Sequence, residues 1–153
     1  AGIRYGGYCA DAAFTVGVGE IDSRAQKLID ATREALDPGI IAAKPGAHLG
    51  DIGAAIEGVA RKRGFKVIQG LTGHGIGKNL HEDPEVPNEG NPGRGLRLVA
   101  GMTLALEPMF SLGTTHIVQL ADESYATKDG SLSAHFEHTI VITPAGAEIL
   151  TKL

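Results

Sequence analysis

The sequence contains no tryptophan, a single cysteine and few aromatic residues of any kind. Because Cys9 has no partner for an internal disulfide, the composition is typical of a reducing compartment and predicts a cytoplasmic protein. No apolar run approaches the roughly 20 residues that a membrane helix needs, so we expect no membrane span. The first residues, Ala-Gly-Ile-Arg-Tyr, show neither an initiator Met nor the features of a targeting peptide.

The sequence also lacks any concentrated basic patch, and its formal net charge is −4 with a pI near 5.8. A surface that tracks nucleic-acid phosphates needs clustered Lys and Arg, so we expect no nucleic-acid specificity. With 153 residues, of which 42% are hydrophobic, the chain is long enough to bury a core, and no linker or repeat interrupts it. These properties predict a single globular domain over residues 1–153.

Helical and strand-like patterns alternate along the chain. Apolar residues recur at helical spacing over 22–36, where Pro38 and Gly39 should end the helix, and again over 49–63, before Gly64. Both helices are expected to cover a sheet. Strands are predicted at 3–8, 11–18, 65–69, 102–110, 116–120, 124–128, 135–142 and 147–151.

The stretch from Gly73 to Pro84 carries two histidines, His74 and His81, among three glycines. Glycines at this density disfavour a helix or a regular strand, so the pattern predicts an irregular loop. Imidazoles held on such a loop are suited to binding a ligand. This stretch is the candidate site.

Two acidic residues, Glu107 and Glu137, lie within apolar, strand-like segments. Burying an ionised carboxylate without a partner is costly, so each should be paired or metal-bound. Asp11 is a third candidate, although taken alone it is more simply a turn residue. Together with His74 these oxygen-rich donors suit manganese, iron or cobalt as well as zinc. Zinc-finger spacing, His-Glu-x-x-His, a full phosphate loop and Gly-x-Ser-x-Gly are all absent.

Three motifs in this chain occur in the order and with the separations of one enzyme family. They are G-H-G-I-G followed by H-E-D-P over 73–84, G-M-T through E-P-M over 101–109, and S-A-H-F-E-H-T over 133–139. On these motifs the sequence resembles methionine aminopeptidase of the bacterial type, across nearly its whole length. The resemblance implies the pita-bread fold, an α+β architecture in which an antiparallel sheet is flanked by helices.

The same resemblance implies a set of roles. Asp11 and Glu137 would bridge two divalent ions (cobalt, manganese, iron, zinc or nickel), with His74 and Glu107 completing the ligands of the first ion. Glu107 would shuttle a proton from metal-activated water to the leaving amine, and His81 would donate a hydrogen bond to the scissile peptide. The implied activity is removal of N-terminal methionine from nascent polypeptides. The full-length enzyme would be a monomer, with ribosome association left open.

The chain departs from the family pattern in several places. A further metal-ligand Asp of the family would fall immediately before Ala1, and the preceding part of the family's domain is missing. We therefore expect an N-terminally truncated catalytic domain with a doubtful second ion and reduced or absent activity. Leu80 and Glu123 stand in the substrate-binding region at positions where the family often has an aromatic residue and a Trp.

Two alternatives remain open. Related peptidases that cleave next to proline share the histidine stretch and the Glu-Pro strand, but usually carry Arg-Ile-Glu-Asp where this chain has Phe136-Glu137-His138. A proline-directed exopeptidase of the same fold is the first alternative. A non-catalytic binding module that keeps the fold without the second ion is the other.

Overall fold

The computed structural model describes residues 1–152, which form three helices and thirteen short strands. The helices are α1 (Ser23–Glu34), α2 (Leu36–Ala42) and α3 (Leu49–Arg63). The strands are β1 (Ile3–Tyr5), β2 (Tyr8–Ala10), β3 (Ala12–Ala13), β4 (Lys66–Val67), β5 (Gly73–Gly75), β6 (Glu82–Val86), β7 (Thr103–Leu106), β8 (Met109–Ser111), β9 (Ile117–Gln119), β10 (Tyr125–Thr127), β11 (Ser133–His135), β12 (Glu137–Thr143) and β13 (Gly146–Ile149). None of the helices in this described range is long and apolar enough to cross a membrane.

A six-stranded antiparallel sheet forms the centre, in the order β13-β12-β7-β5-β6, with β3 paired to β12. A smaller sheet, β11-β8-β4, continues from it, because β7 leads into β8 and β11 leads into β12. The three helices pack over the sheets, and their buried side chains share one core with Leu104, Leu106 and Ile140 of the central strands. Removal of this apolar surface from water provides the main stabilisation.

Helix α1 begins where the sequence predicts, since the Asp22 carboxylate accepts hydrogen bonds from the backbone N–H groups of Arg24 and Ala25 at 2.7 and 2.8 Å. The prediction that Pro38 and Gly39 end the helical region is wrong, because α2 runs through both residues. Pro38 falls in the first turn of α2, where a missing N–H breaks no intrahelical bond.

The prediction of an irregular loop over the whole of 73–84 is wrong at both ends, since Gly73–Gly75 forms strand β5 in the middle of the sheet and Glu82–Val86 forms strand β6. A Cβ on Gly73 would lie 2.3 Å from the Ala105 carbonyl oxygen, and one on Gly75 would lie 2.1 Å from that of Asp83. These glycines therefore permit close strand approach rather than irregular backbone.

Several predicted strands are shorter or divided in the structure. The segment 102–110 forms β7 and β8 with an interruption at Glu107-Pro108, and 11–18 contributes only Ala12–Ala13. The strand predicted at 135–142 is likewise interrupted at Phe136. At these interruptions the Phe136 N–H donates to the Pro108 carbonyl at 3.3 Å. The β7–β8 segment and the β11–β12 segment are therefore interrupted side by side.

Helix α3 offers a matched pair of glycines for testing its packing. A Cβ on Gly53 would lie 2.5 Å from the backbone carbonyl oxygen of Glu89, whereas a Cβ on Gly58 would meet nothing within 4 Å. We expect Gly53→Ala to lower the free energy of unfolding by about 2 kcal/mol through steric overlap. Gly58→Ala should raise it by up to about 1 kcal/mol, because alanine favours the helix. Urea unfolding of both variants measures the two free energies of unfolding. Equal changes in the two variants would contradict the close contact between Gly53 and Glu89.

Candidate metal centre

Three side chains from distant parts of the chain converge at one point. Asp11 lies between β2 and β3, His74 is the central residue of β5, and Glu137 is the first residue of β12. One ligand atom from each lies within 4.8 Å of the other two. His74 and Glu137 are buried, with exposed fractions of 9% and 4%. The structure therefore brings together three of the four predicted ligands.

Strand pairing explains this convergence. His74 is opposite Ala105 of β7, β7 pairs with β12, and β12 pairs with β3 at Glu137 and Ala13. Asp11 lies two residues before Ala13, so it is the diagonal neighbour of Glu137 on the same face of the sheet.

The His74 ring is oriented by its own backbone. Its Nδ1 lies 2.9 Å from the Gly75 carbonyl oxygen, which can only accept a hydrogen bond. Nδ1 therefore carries the proton, and Nε2 keeps the lone pair that a metal ligand needs. The His81 ring packs edge-on against His74, with centroids 4.3 Å apart.

Glu107 lies beside this cluster at the end of β7. Its Oε1 is 3.6 Å from His74 Nε2, and its Oε2 is 3.2 Å from His135 Nε2. The His135 Nε2 has no hydrogen-bond partner, so its contact with the carboxylate is not a hydrogen bond. The side chain of Asn88 donates to the Glu107 backbone carbonyl at 3.0 Å and fixes the strand end. The role of Glu107 as a metal ligand stays a prediction, since it adjoins the three-residue cluster rather than belonging to it.

The electrostatics of Glu137 fit a cation. Burial is the largest cause that raises its pKa, the neighbouring Glu107 and Asp11 carboxylates act in the same direction, and together they bring the pKa from the ordinary value of 4.5 to about 7. Its Oε1 is buried without a hydrogen-bond partner. A divalent ion would neutralise the clustered carboxylates and satisfy this oxygen, so the residues present fit a metal.

An open cavity of about 940 Å³ lies over this site. His74, His81 and Glu107 line it, together with His135 and Tyr125. The cavity leaves room for a peptide terminus to approach His74 and Glu107, whereas Asp11 and Glu137 are not among the residues that line it.

The two other predicted substrate residues lie away from this cavity. Leu80 lines a separate pocket beside Gly2 and Cys9. Glu123 is exposed in the turn between β9 and β10, with a φ of 68°. Their contact with substrate stays a prediction.

Sequence reasoning missed His135 and Tyr125 as cavity residues. His135 precedes Glu137 by two positions, and alternation along a strand places such residues on one face. The spacing of His135 and Glu137 could therefore have identified His135. No sequence pattern identifies Tyr125, because only the tertiary fold brings the β9–β10 hairpin next to the histidine stretch.

A curled antiparallel sheet that carries a buried carboxylate and imidazole cluster below an open cavity defines the pita-bread class of metal-dependent peptidases. The chain belongs to Metallopeptidase family M24, which matches residues 1–144. The predicted fold and the predicted resemblance are both confirmed.

Similar proteins of known name are bacterial methionine aminopeptidases. The crystal structure of methionine aminopeptidase from Thermotoga maritima has a TM-score of 0.96 and 50% identity, covering 99% of this chain and 61% of that chain. Methionine aminopeptidase of Clostridium perfringens is 48% identical over 153 residues, which are 99% of this chain and 61% of that protein. Methionine aminopeptidase B of Synechocystis is 46% identical over 150 residues, or 97% of this chain and 55% of that protein. The chain thus spans 55–61% of the length of these relatives.

The raised pKa of Glu137 predicts a pH-dependent stability in the absence of metal. Because its folded-state pKa is about 7 and its ordinary value is 4.5, the folded chain binds a proton before the unfolded chain as the pH falls. The destabilisation due to Glu137 is therefore full near pH 8 and declines towards pH 5. Glu137→Gln should therefore have a higher free energy of unfolding than the wild type. We expect this difference between the two proteins, the margin, to be about 2 kcal/mol larger at pH 8 than at pH 5.

Urea unfolding in EDTA at the two pH values measures this margin. Burial also lowers the pKa of His138, but His138 is present in both proteins, so its contribution cancels in the difference. Glu148→Gln, at an exposed position of β13, is the matched control and should show a constant margin. A constant margin for Glu137→Gln would contradict the assigned pKa.

Proposed function

We propose that this protein is a metal-dependent aminopeptidase that removes the N-terminal methionine from nascent polypeptides. The observation that carries the proposal is the convergence of Asp11, His74 and Glu137 within 4.8 Å, with a buried carboxylate oxygen left without a partner. Membership of Metallopeptidase family M24 and the similarity to bacterial methionine aminopeptidases support it.

Each side chain has a distinct task in the proposed reaction. Asp11, His74 and Glu137 would hold a divalent ion, which supplies Lewis acidity and lowers the pKa of water. Glu107 borders the cavity and would accept a proton from the attacking water, then deliver it to the leaving amine. His81 also faces the cavity and would donate a hydrogen bond to the carbonyl oxygen as negative charge develops there.

The acidic character of the site supports cleavage at a chain end. Glu107 lines the cavity together with Glu82, Asp83 and Glu85, and these carboxylates would attract the free amino group of a peptide. An amino terminus held there would leave only the first peptide bond within reach of Glu107.

The number and identity of the ions are part of the proposal. We propose one ion held by Asp11, His74 and Glu137, with Glu107 next to it. A second ion, if shared by Asp11 and Glu137, would need donors beyond these four. Cobalt, manganese, iron, zinc and nickel all suit mixed carboxylate and imidazole ligands. A cytoplasmic monomer remains our expectation, and ribosome contact stays open.

Metal titration tests the site directly. We expect the 153-residue chain to bind one Mn²⁺, and His74→Ala or Glu137→Gln to weaken binding at least tenfold by removing a ligand. His116→Ala removes an exposed histidine outside the cavity and should leave the affinity unchanged. Isothermal calorimetry gives both stoichiometry and affinity, and equal losses in all three variants would refute a specific site.

Peptide turnover by the full-length protein separates the candidate activities. We expect hydrolysis of Met-Ala peptides in preference to Ala-Pro peptides, and Glu107→Gln should reduce kcat roughly 100-fold or more by removing the proton carrier. Preference for Ala-Pro would favour the proline-directed alternative. Metal binding without turnover of either peptide would favour a binding module.

A further inference from the structure

A threonine hydroxyl attaches Asp11 to strand β12. Thr139 Oγ1 accepts a hydrogen bond from the Asp11 N–H at 2.9 Å and donates one to the Asp11 carbonyl at 2.8 Å. One side chain therefore satisfies both backbone groups of Asp11, as a partner residue in a β-ladder would. Thr139 is buried, with an exposed fraction of 2%, so solvent offers little competition for these bonds.

The reason for this arrangement lies in the backbone of Thr139. Along this edge β12 pairs first with β3, at Glu137 and His138, and then with β13, from Ile140 onward. Thr139 lies between the two, and its backbone is already engaged on the β13 side. Its N–H donates to Thr151 Oγ1 at 3.1 Å and its carbonyl accepts from the Leu150 N–H at 2.8 Å. Only the side chain remains to bind Asp11.

A second threonine makes the same pair of hydrogen bonds at the other end of the short β3–β12 pairing. Here the threonine follows β3, and the backbone that it binds belongs to β11. Thr15 Oγ1 accepts from the His135 N–H and donates to the His135 carbonyl, both at 2.9 Å. His135 is the residue whose ring lies 3.2 Å from the Glu107 carboxylate. We call these two contacts the threonine clamps: Thr139 on Asp11, and Thr15 on His135.

Between the clamps the backbone pairing is very short, since β3 contains only Ala12 and Ala13. Two paired residues cannot fix the register of a strand on their own. We propose that the threonine clamps are positioning elements of the metal centre, and that the Thr139 hydroxyl sets the affinity for a divalent ion by holding Asp11 beside Glu137.

The position of the Asp11 carboxylate follows from the position of its backbone. Asp11 Oδ1 accepts a hydrogen bond from the Ala12 N–H at 2.9 Å and lies 3.1 Å from the Ala1 ammonium, which also donates to the Ala12 carbonyl. Both contacts are made within residues 1–12, so the carboxylate moves with this segment. Without the Thr139 hydroxyl, neither Asp11 backbone group would keep its bond to β12, and the carboxylate would drift relative to Glu137. This inference rests on the proposed metal binding by Asp11, His74 and Glu137.

Three threonine variants and two measurements test the inference. Thr139→Val keeps the shape and removes the hydroxyl, Thr139→Ser keeps the hydroxyl, and Thr32→Val is the matched control. Thr32 is also fully buried and also uses its hydroxyl, which donates to the Leu28 carbonyl at 2.8 Å, but it lies in α1. The measurements are the Kd for Mn²⁺ by calorimetry and the hydrogen-exchange rate of the Asp11 amide by NMR in the metal-free chain.

We expect Thr139→Val to raise the Kd for Mn²⁺ ten- to hundredfold and to speed Asp11 amide exchange at least tenfold. Thr139→Ser and Thr32→Val should stay within about threefold of the wild type in both measurements. Faster exchange in Thr139→Val with an unchanged Kd would overturn the inference and leave the proposed function intact. Absence of Mn²⁺ binding by the wild type would overturn the proposed function, and the inference with it.

The second clamp provides an independent variant if Thr139→Val loses its circular dichroism spectrum. Thr15→Val removes the bonds to His135 and frees the other end of the same pairing. A Kd for Mn²⁺ raised about tenfold would support the inference. A Kd equal to that of the wild type would overturn it.

Discussion

Two carboxylates and an imidazole meet within 4.8 Å, and two of these three side chains, His74 and Glu137, are buried. This constraint governs the rest of the structure. Glu137 would be better solvated and less crowded by negative charge almost anywhere on the surface, and its raised pKa of about 7 reflects both disadvantages. The fold must therefore supply the stability that holds these groups together, and it does so from the apolar core beneath the sheet.

The glycines of β5 are the main geometric requirement for that convergence. His74 reaches the site because the strand that carries it packs tightly between β6 and β7, and only residues without a Cβ on either side of His74 permit this approach. The same glycines that suggest an unstructured loop in the sequence thus place a metal ligand in the middle of a sheet. Closely packed strands and irregular loops are both rich in glycine, so the sequence pattern alone does not distinguish them. The distinction requires knowing which strands lie next to the glycines.

The chemistry of the site was easier to predict than its geometry. Glu107 and Glu137 are conspicuous because each carboxylate lies in an apolar strand, a placement that elementary solvation argues against unless a partner exists. Helices α1 and α3 also follow from spacing and from the Asp22 and Gly64 caps, whereas α2 does not, because Pro38 and Gly39 are more typical of a helix end than of a helix. The threonine clamps leave no such trace, since a threonine in a β-strand is common and its hydroxyl can face any neighbour. Tyr125 and the separation of Leu80 and Glu123 from the cavity likewise depend on how distant hairpins pack.

The interruptions in the strands connect the fold to the chemistry. β7 continues into β8, and β11 into β12, across a bend where the Phe136 N–H bonds to the Pro108 carbonyl. Glu107 is the residue after β7 ends, and Glu137 is the residue at which β12 begins, so both carboxylates emerge at the bend. The interruption therefore places both acidic residues at one level of the sheet, close enough that the Glu107 carboxylate raises the pKa of Glu137.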